Sequence, residues 1–259
     1  MAWRTPRQLM RLPAAILLTA MMWTWASARP LFFGESRLGN ACLKGQLGHP
    51  AVFSADLPPQ LRGRSYSRPD FIDWPLDYRA WEKEHLKYFK KTYGESSLNF
   101  KPAMIVMHFT VVPTAEQTYA VLQRRKVSVH LMVDRDGSTY QLMPFDRRCN
   151  GAYGVNHKAL SIEMVATSES DLLSHPQQIF QSFCCVKYLC AKYDIPPEKV
   201  VGHYEVGMGV TRVPEYLDMA DPYYPTRYPP NEKRTDPGET YMRWLRAYLK
   251  ADPPTGYDL

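Results

Sequence analysis

The chain has 259 residues, of which 45% are hydrophobic and 22% are charged, and its formal net charge is +6. This length can hold one large domain or two small ones, and the apolar fraction is sufficient for one sizeable core. The positive charge is weak and scattered, whereas nucleic-acid-binding proteins cluster lysine and arginine on one face. We therefore expect no nucleic-acid partner. Mild positive charge suits contact with an anionic cell wall.

The first 28 residues have the pattern of a secretory signal peptide. Three basic residues, Arg4, Arg7 and Arg11, precede a short apolar run at 14–25, and the sequence Ala-Ser-Ala at 26–28 provides small residues for cleavage. The apolar run is shorter than the ~20 residues that a bilayer-spanning helix needs, so we favour cleavage over an uncleaved anchor. The prediction is an exported protein, periplasmic or secreted, with no membrane association after cleavage.

Residues 29–99 are predicted to form an accessory N-terminal arm, rich in proline and glycine at first and with a helix near 78–91. Regular patterns begin at residue 103. Residues 103–109 are an apolar run typical of a strand, and Thr114 and Gln117 form a capping box that opens a helix with Ala115, Tyr119 and Leu122 on its apolar face. Alternation predicts a further strand at 127–134, and the Asp-Gly turn at 136–137 predicts a hairpin into 139–143.

The second half continues in the same way. Alternation predicts a strand at 160–165, and the proline and apolar spacing after Ser174 predict a long helix that ends before Pro196. A short strand at 199–203 and a helix at 239–249 follow. The three clustered cysteines of the long helix have no C-x-x-C spacing, which favours buried, inert thiols. We predict an α/β domain at 100–250, with a mixed central sheet flanked by helices, and a C-terminal tail at 251–259.

Three potential metal ligands lie at the ends of regular elements. His108 ends one predicted strand, His203 ends another, and Asp236 lies in the loop before the last helix. Two imidazoles and one carboxylate that leave a fourth position open are a typical ligand set of catalytic zinc. The spacings match no short-range metal motif, and a lone histidine at a strand end is more often a structural residue. From the residues alone, a metal site and a set of structural histidines both stay open.

Five blocks of the chain, in order, resemble motifs of the zinc amidases of the type 2 N-acetylmuramoyl-L-alanine amidase and peptidoglycan recognition protein superfamily. The blocks occur in the order of the family and extend over about 104–245, more than half of the chain, which makes the resemblance much more specific than any single block. They are M-I-V-M-H-F-T at 104–110, V-S-V-H-L-M-V-D-R-D-G with the following S-T-Y-Q-L-M-P at 127–144, N-H-K-A-L-S-I-E at 156–163, V-V-G-H at 200–203 and R-T-D-P-G at 234–238.

The resemblance implies a zinc site at strand ends on one face of the sheet, with His108, His203 and Asp236 as ligands. It also implies that Glu163 is the general base, and that Arg234 stands where the family has a lysine that stabilises the oxyanion. The implied reaction is hydrolysis of the amide bond between N-acetylmuramic acid and L-alanine, with peptidoglycan or muropeptides as the partner. His130 would lie beside the substrate groove or be packed as a structural residue.

The chain departs from the family pattern in two places. The family segment W-H-A-G appears as C-N-G-A at 149–152, and a Pro- and Tyr-rich insertion occupies 208–232. Two other functions remain as alternatives. One is a peptidoglycan-binding module of the same fold without catalysis, which the presence of all three ligands and Glu163 disfavours. The other is a zinc peptidase that cuts within the stem peptide, for which the chain has no H-E-x-x-H motif.

Overall fold

A six-stranded sheet forms the centre of the computed structural model, which describes residues 51–52, 54–206 and 234–254. All of these residues belong to the unit formed by Ser36–Leu259. The predicted signal peptide at 1–28 and the whole insertion at 208–232 lie outside the described residues, as does the end of the predicted tail. Among the described residues, no helix has the length and apolar character that crossing a membrane requires.

Strands and helices are intermixed along the described chain. The strands are β1 (Ile72–Asp73), β2 (Met104–Phe109), β3 (Leu131–Val133), β4 (Thr139–Gln141), β5 (Ala159–Met164) and β6 (Val200–Gly202). The α-helices are α1 (Glu82–Tyr93), α2 (Ala115–Arg125), α3 (Glu169–Leu173), α4 (Pro176–Tyr193) and α5 (Glu239–Ala251).

The sheet is mixed, as the sequence predicted. Its strand order is β1-β4-β3-β5-β2-β6, and the only antiparallel pair in it joins β3 to β4. The central strands β2 and β5 are buried almost throughout, which explains why β2 is a continuous apolar run. Because β2, β5 and β6 are parallel, their carboxyl ends meet at one edge of the sheet.

The two faces of the sheet pack against different helices. Ile162 and Met164 of β5 point into the core formed with α4 and α5, where Phe183 and Leu245 are buried. The opposite face of the sheet packs against α2 and the segment around Trp81. Side chains alternate along a strand, so Glu163 belongs to the α2 face, as its position between two apolar neighbours predicted.

Several boundaries differ from the predictions for physical reasons. β3 is shorter than predicted because Ser128 donates its backbone N–H to the Asn150 side chain instead of to a neighbouring strand. On α2, Thr118 is buried in place of Tyr119, which stacks on Trp74 with ring centroids 4.4 Å apart. Helix α1 runs to Tyr93 and ends at Gly94 in the left-handed conformation.

The part of the predicted arm that the structure describes joins the sheet through β1, which pairs with β4. The division of the chain at 99/100 remains a prediction. Cys184, Cys185 and Cys190 are buried in α4 and form no disulfide with a described residue, which agrees with the expectation of buried thiols. Cys149 is also a free, buried thiol.

Candidate metal centre and active site

The carboxyl-terminal edge of the sheet brings the predicted ligands together. His108 is the fifth residue of β2, and in the parallel register it lies directly across from Glu163 of β5. Strand β6 ends at Gly202 on the other side of β2, so that His203 follows at the same edge. Adjacent strands lie about 4.8 Å apart, which is close enough for these side chains to share one site.

Three donor atoms converge at this edge. Nδ1 of His108 lies 3.0 Å from Nδ1 of His203. Oδ2 of Asp236 lies 3.1 Å from the His108 nitrogen and 3.0 Å from the His203 nitrogen. Both histidines are buried, with 2% and 6% of their surface exposed. Residues separated by up to 128 positions in sequence thus place two imidazole nitrogens and one carboxylate oxygen within contact distance.

Backbone and electrostatic interactions fix Asp236 in this position. The backbone N–H of Tyr204, next to His203, donates to the carbonyl oxygen of Asp236 at 2.9 Å. Burial alone would raise the pKa of the Asp236 carboxyl, but the hydrogen bonds and charges of His108 and His203 outweigh burial and hold this pKa well below its usual range. The carboxylate is therefore ionised and available as a ligand.

The donor set fits a zinc ion by its chemistry. Zinc takes imidazole nitrogen and carboxylate oxygen at about 2.0–2.1 Å in tetrahedral geometry, which separates neighbouring donors by about 3.3 Å. The observed separations of 3.0–3.1 Å are slightly shorter. The donor set contains two nitrogens and one oxygen, and three protein ligands leave the fourth position of a tetrahedral ion open.

Glu163 provides an acid–base group beside the three donors. Glu163 is half-buried in the pocket wall, and burial raises the pKa of its carboxyl to about 7, since repulsion from Asp236 adds to burial and the attraction of His108 only partly offsets it. Its Oε2 atom is buried and has no hydrogen-bond partner in the part of the chain that the structure describes. A carboxyl with this pKa can both accept and donate a proton near neutral pH.

A pocket of about 280 Å³ opens onto the donors and Glu163. One wall comes from α2, and another comes from the loop after β4. Arg234, two residues before Asp236, also lines the pocket and is partly buried. Lining side chains of the walls include Thr118, Val121 and Leu122 from α2, and Asn150 and Tyr153 from the loop.

The structure brings all five predicted site residues, His108, Glu163, His203, Arg234 and Asp236, to this one pocket. Sequence reasoning did not find Val121 or Tyr153. Val121 is an apolar residue on the polar face of α2. An apolar residue in this position could have indicated that this face of the helix lines a groove.

His130 is packed rather than exposed to the pocket, which decides between the two alternatives for this residue. It is fully buried, its Nε2 donates to the carbonyl oxygen of Arg147 at 2.9 Å, and its Nδ1 accepts from the backbone N–H of Ser161 at 3.1 Å. Both ring nitrogens are therefore occupied by backbone groups.

The segment at 149–152, which departs from the W-H-A-G pattern, lies partly in the core and partly in the wall of the pocket. Cys149 is fully buried, with its sulfur 3.5 Å from the Ser161 hydroxyl, whereas Asn150 and Gly151 line the pocket. An added Cβ at Gly151 would lie within 2.9 Å of Val129, so only glycine allows this close approach. The pocket wall here thus consists of small and polar groups.

Comparison with known proteins agrees with the geometry. Residues 98–239 match the model of the N-acetylmuramoyl-L-alanine amidase family, which covers more than half of the chain. The chain belongs to this family.

Two curated relatives are each 27% identical in the matched region. N-acetylmuramoyl-L-alanine amidase CwlL of Bacillus licheniformis matches over 137 residues, which are 45% of this chain and 37% of the relative. 1,6-anhydro-N-acetylmuramyl-L-alanine amidase AmpD of Salmonella typhimurium matches over 106 residues, 38% of this chain and 55% of the relative. The chain thus spans about a third to a half of the length of these curated relatives.

Solved structures of amidases are also similar. The hydrolase AmiA of Staphylococcus aureus in complex with its ligand has a TM-score of 0.46 at 16% identity, covering 73% of this chain and 89% of that one. The endolysin amidase LysCS of Clostridium intestinale has a TM-score of 0.40 at 23% identity, covering 54% and 84%.

Proposed function

We propose that this protein is a zinc-dependent hydrolase that cuts the amide bond between N-acetylmuramic acid and L-alanine in peptidoglycan. The observation that carries the proposal is the convergence of His108, His203 and Asp236 beside Glu163, in one pocket of a chain that belongs to the N-acetylmuramoyl-L-alanine amidase family. Structural residues without a ligand would have no reason to bury an acid of raised pKa next to three converging donors.

The chemistry divides among the pocket residues. His108, His203 and Asp236 would hold the zinc, and a bound zinc supplies Lewis acidity that polarises the amide carbonyl and acidifies water. Glu163 accepts the proton of the attacking water through Oε2, and then transfers it to the nitrogen of L-alanine as the C–N bond breaks. Its pKa of about 7 suits both steps.

Arg234 supports the proposed reaction by charge. Arg234 lines the pocket and carries a positive charge, so its guanidinium would stabilise the oxygen that gains negative charge when water adds to the carbonyl. The lysine of the family pattern would offer a compact ammonium instead of a planar fork. We therefore expect Arg234→Lys to retain more activity than Arg234→Ala.

Two features support action outside the cytoplasm. The substrate belongs to the cell wall, and residues 1–28 have the pattern of a secretory signal. Peptidoglycan or its muropeptide fragments are the proposed partners, in agreement with the names of the relatives, which are amidases of muramoyl-L-alanine bonds.

The test is digestion of purified sacculi by the mature chain, with and without a chelator, followed by mass analysis of the soluble products. The proposal requires stem peptides with a free N-terminal L-alanine, released only when metal is present. Glu163→Gln is the matched control, since it should bind sacculi and release nothing. Cleavage within the stem peptide would mean a peptidase, and binding by the unmodified chain without any release would mean a non-catalytic binding module.

A further inference from the structure

The segment that carries Asp236 runs into a helix that has no cap of its own. Helix α5 begins after Gly238, which stands at the N-cap position and has no side chain to accept a hydrogen bond. The first turn of any helix leaves backbone N–H groups without partners inside the helix. The start of α5, and with it the position of Asp236, therefore depends on an acceptor from another part of the chain.

Glu169 supplies this acceptor. Its Oε1 accepts hydrogen bonds from the backbone N–H of Thr240 at 2.6 Å and from that of Tyr241 at 3.1 Å. A carboxylate in this place also interacts favourably with the positive end of the helix dipole. Glu169 is the first residue of α3, which follows β5, the strand of Glu163.

Gly238 adapts the segment to this contact. Its φ of +101° lies in a region that side-chain-bearing residues rarely adopt, and a Cβ built there would overlap the carboxyl group of Glu169. The absence of a side chain at 238 is thus what lets the glutamate reach the helix. Two independent features, the hydrogen bonds and the space at Gly238, join Glu169 to the residues that follow Asp236.

The segment is held on both sides of the ligand. Before the helix, the carbonyl of Asp236 accepts from the N–H of Tyr204, beside the ligand His203. On the other side of Asp236, Glu169 accepts hydrogen bonds from the backbone N–H groups of residues 240 and 241. We infer that Glu169 is a positioning residue that fixes the Asp236 carboxylate against the two histidines, an inference that rests on the proposed zinc site. Glu169 is neither one of the three donors nor one of the residues that line the pocket.

The test compares zinc affinity and ligand geometry in three variants of the full chain. Glu169→Ala removes the acceptor, and Glu169→Gln keeps a neutral amide oxygen in its place. Asp171→Asn is the matched control on the same helix, because Asp171 accepts from Thr167 and pairs with Arg135 at 2.7 Å, and among the described residues no hydrogen bond or ion pair joins it to the Asp236 segment. Zinc affinity is measured by competition with a chromophoric chelator, and ligand geometry by the visible spectrum of the cobalt(II)-substituted protein.

We expect Glu169→Ala to bind zinc about tenfold more weakly or worse, as is usual for residues that orient metal ligands, and to change the cobalt spectrum. Glu169→Gln should lie between Glu169→Ala and the unmodified chain. Asp171→Asn should lose stability but keep the zinc affinity and the spectrum. If Glu169→Ala does not fold, Glu169→Gln carries the same comparison.

Three results would overturn the inference. Glu169 variants with unchanged affinity and spectrum would show that Asp236 is positioned without it. An equal loss in Asp171→Asn would show a general effect of weakening α3. Failure of the unmodified chain to bind zinc would overturn the proposed zinc site itself, and that outcome is distinguishable because it appears before any variant is made.

Discussion

Replacing Glu163 by glutamine should stabilise the zinc-free protein, and should do so only at higher pH. In the folded state burial raises the pKa of Glu163 from its ordinary value of 4.5 to about 7. The folded protein therefore binds a proton that the unfolded chain releases between these two values. Stability contributed by this group is full at pH 4.5 and below, decreases as the pH rises, and is at its lowest above about 7.

The magnitude follows from the same two values. A pKa difference between 4.5 and about 7 corresponds to at most about 3 kcal/mol of free energy of unfolding. Glutamine has the same shape as glutamate and does not ionise, so the Glu163→Gln variant does not lose this free energy of unfolding as the pH rises. At pH 8 the free energy of unfolding of zinc-free Glu163→Gln should exceed that of the unmodified chain by up to about 3 kcal/mol, and near pH 4.5 the two should be similar.

Urea denaturation of both zinc-free proteins at several pH values between 5 and 8 measures this difference, in which the titration of groups distant from Glu163 cancels. Asp70→Asn, which removes an exposed carboxylate, is the control and should give a difference independent of pH. Equal stability of Glu163→Gln and the unmodified chain at pH 8, or a gain that grows toward low pH, would refute the assignment of Glu163 as a buried carboxyl of raised pKa.

Three further predictions concern the metal and the core. His108→Ala should lose both bound zinc and activity, as measured by elemental analysis and product release; a variant with full zinc occupancy would remove His108 from the ligand set. Adding zinc at about 1,000 times its Kd to the metal-free protein should raise the free energy of unfolding by about 4 kcal/mol, which is seen as a rise in Tm. An unchanged Tm would contradict zinc binding to the folded protein. Lys187→Met should destabilise the protein by about 3–5 kcal/mol, because Lys187 is buried in an ion pair with Asp252 and the substitution removes the positive charge beside that buried carboxylate. A free energy of unfolding within about 1 kcal/mol of the unmodified chain in urea denaturation would show that this pair contributes little.

The core of the fold could be predicted from the sequence because its strands leave strong patterns. β2 is buried on both faces and its sequence is a nearly continuous apolar run, and α4 has apolar residues at helical spacing within a helix whose residues 178–190 are all buried. Short elements left no such signal. β1 has two residues and α3 has five, so neither extends over enough turns or alternations to show a period.

The candidate site was less accessible to residue patterns alone. His108, His203 and Asp236 are separated by 95 and 33 positions, and nothing local indicates that their side chains meet. Only the order of the family-like blocks joined them. Side-chain contacts between distant segments, such as Glu169 with Thr240 or Ser128 with Asn150, depend on the packed structure and have no counterpart in local sequence.

Hydrolysis of a defined N-acetylmuramoyl peptide in ¹⁸O-labelled water tests the proposed reaction most directly. If water attacks the lactyl carbonyl beside Glu163, mass analysis will find one ¹⁸O in the carboxylate of the sugar product and none in the peptide, and a chelator will abolish both products. Label in the peptide, or products that form equally well without metal, would contradict a zinc-dependent amidase at this pocket.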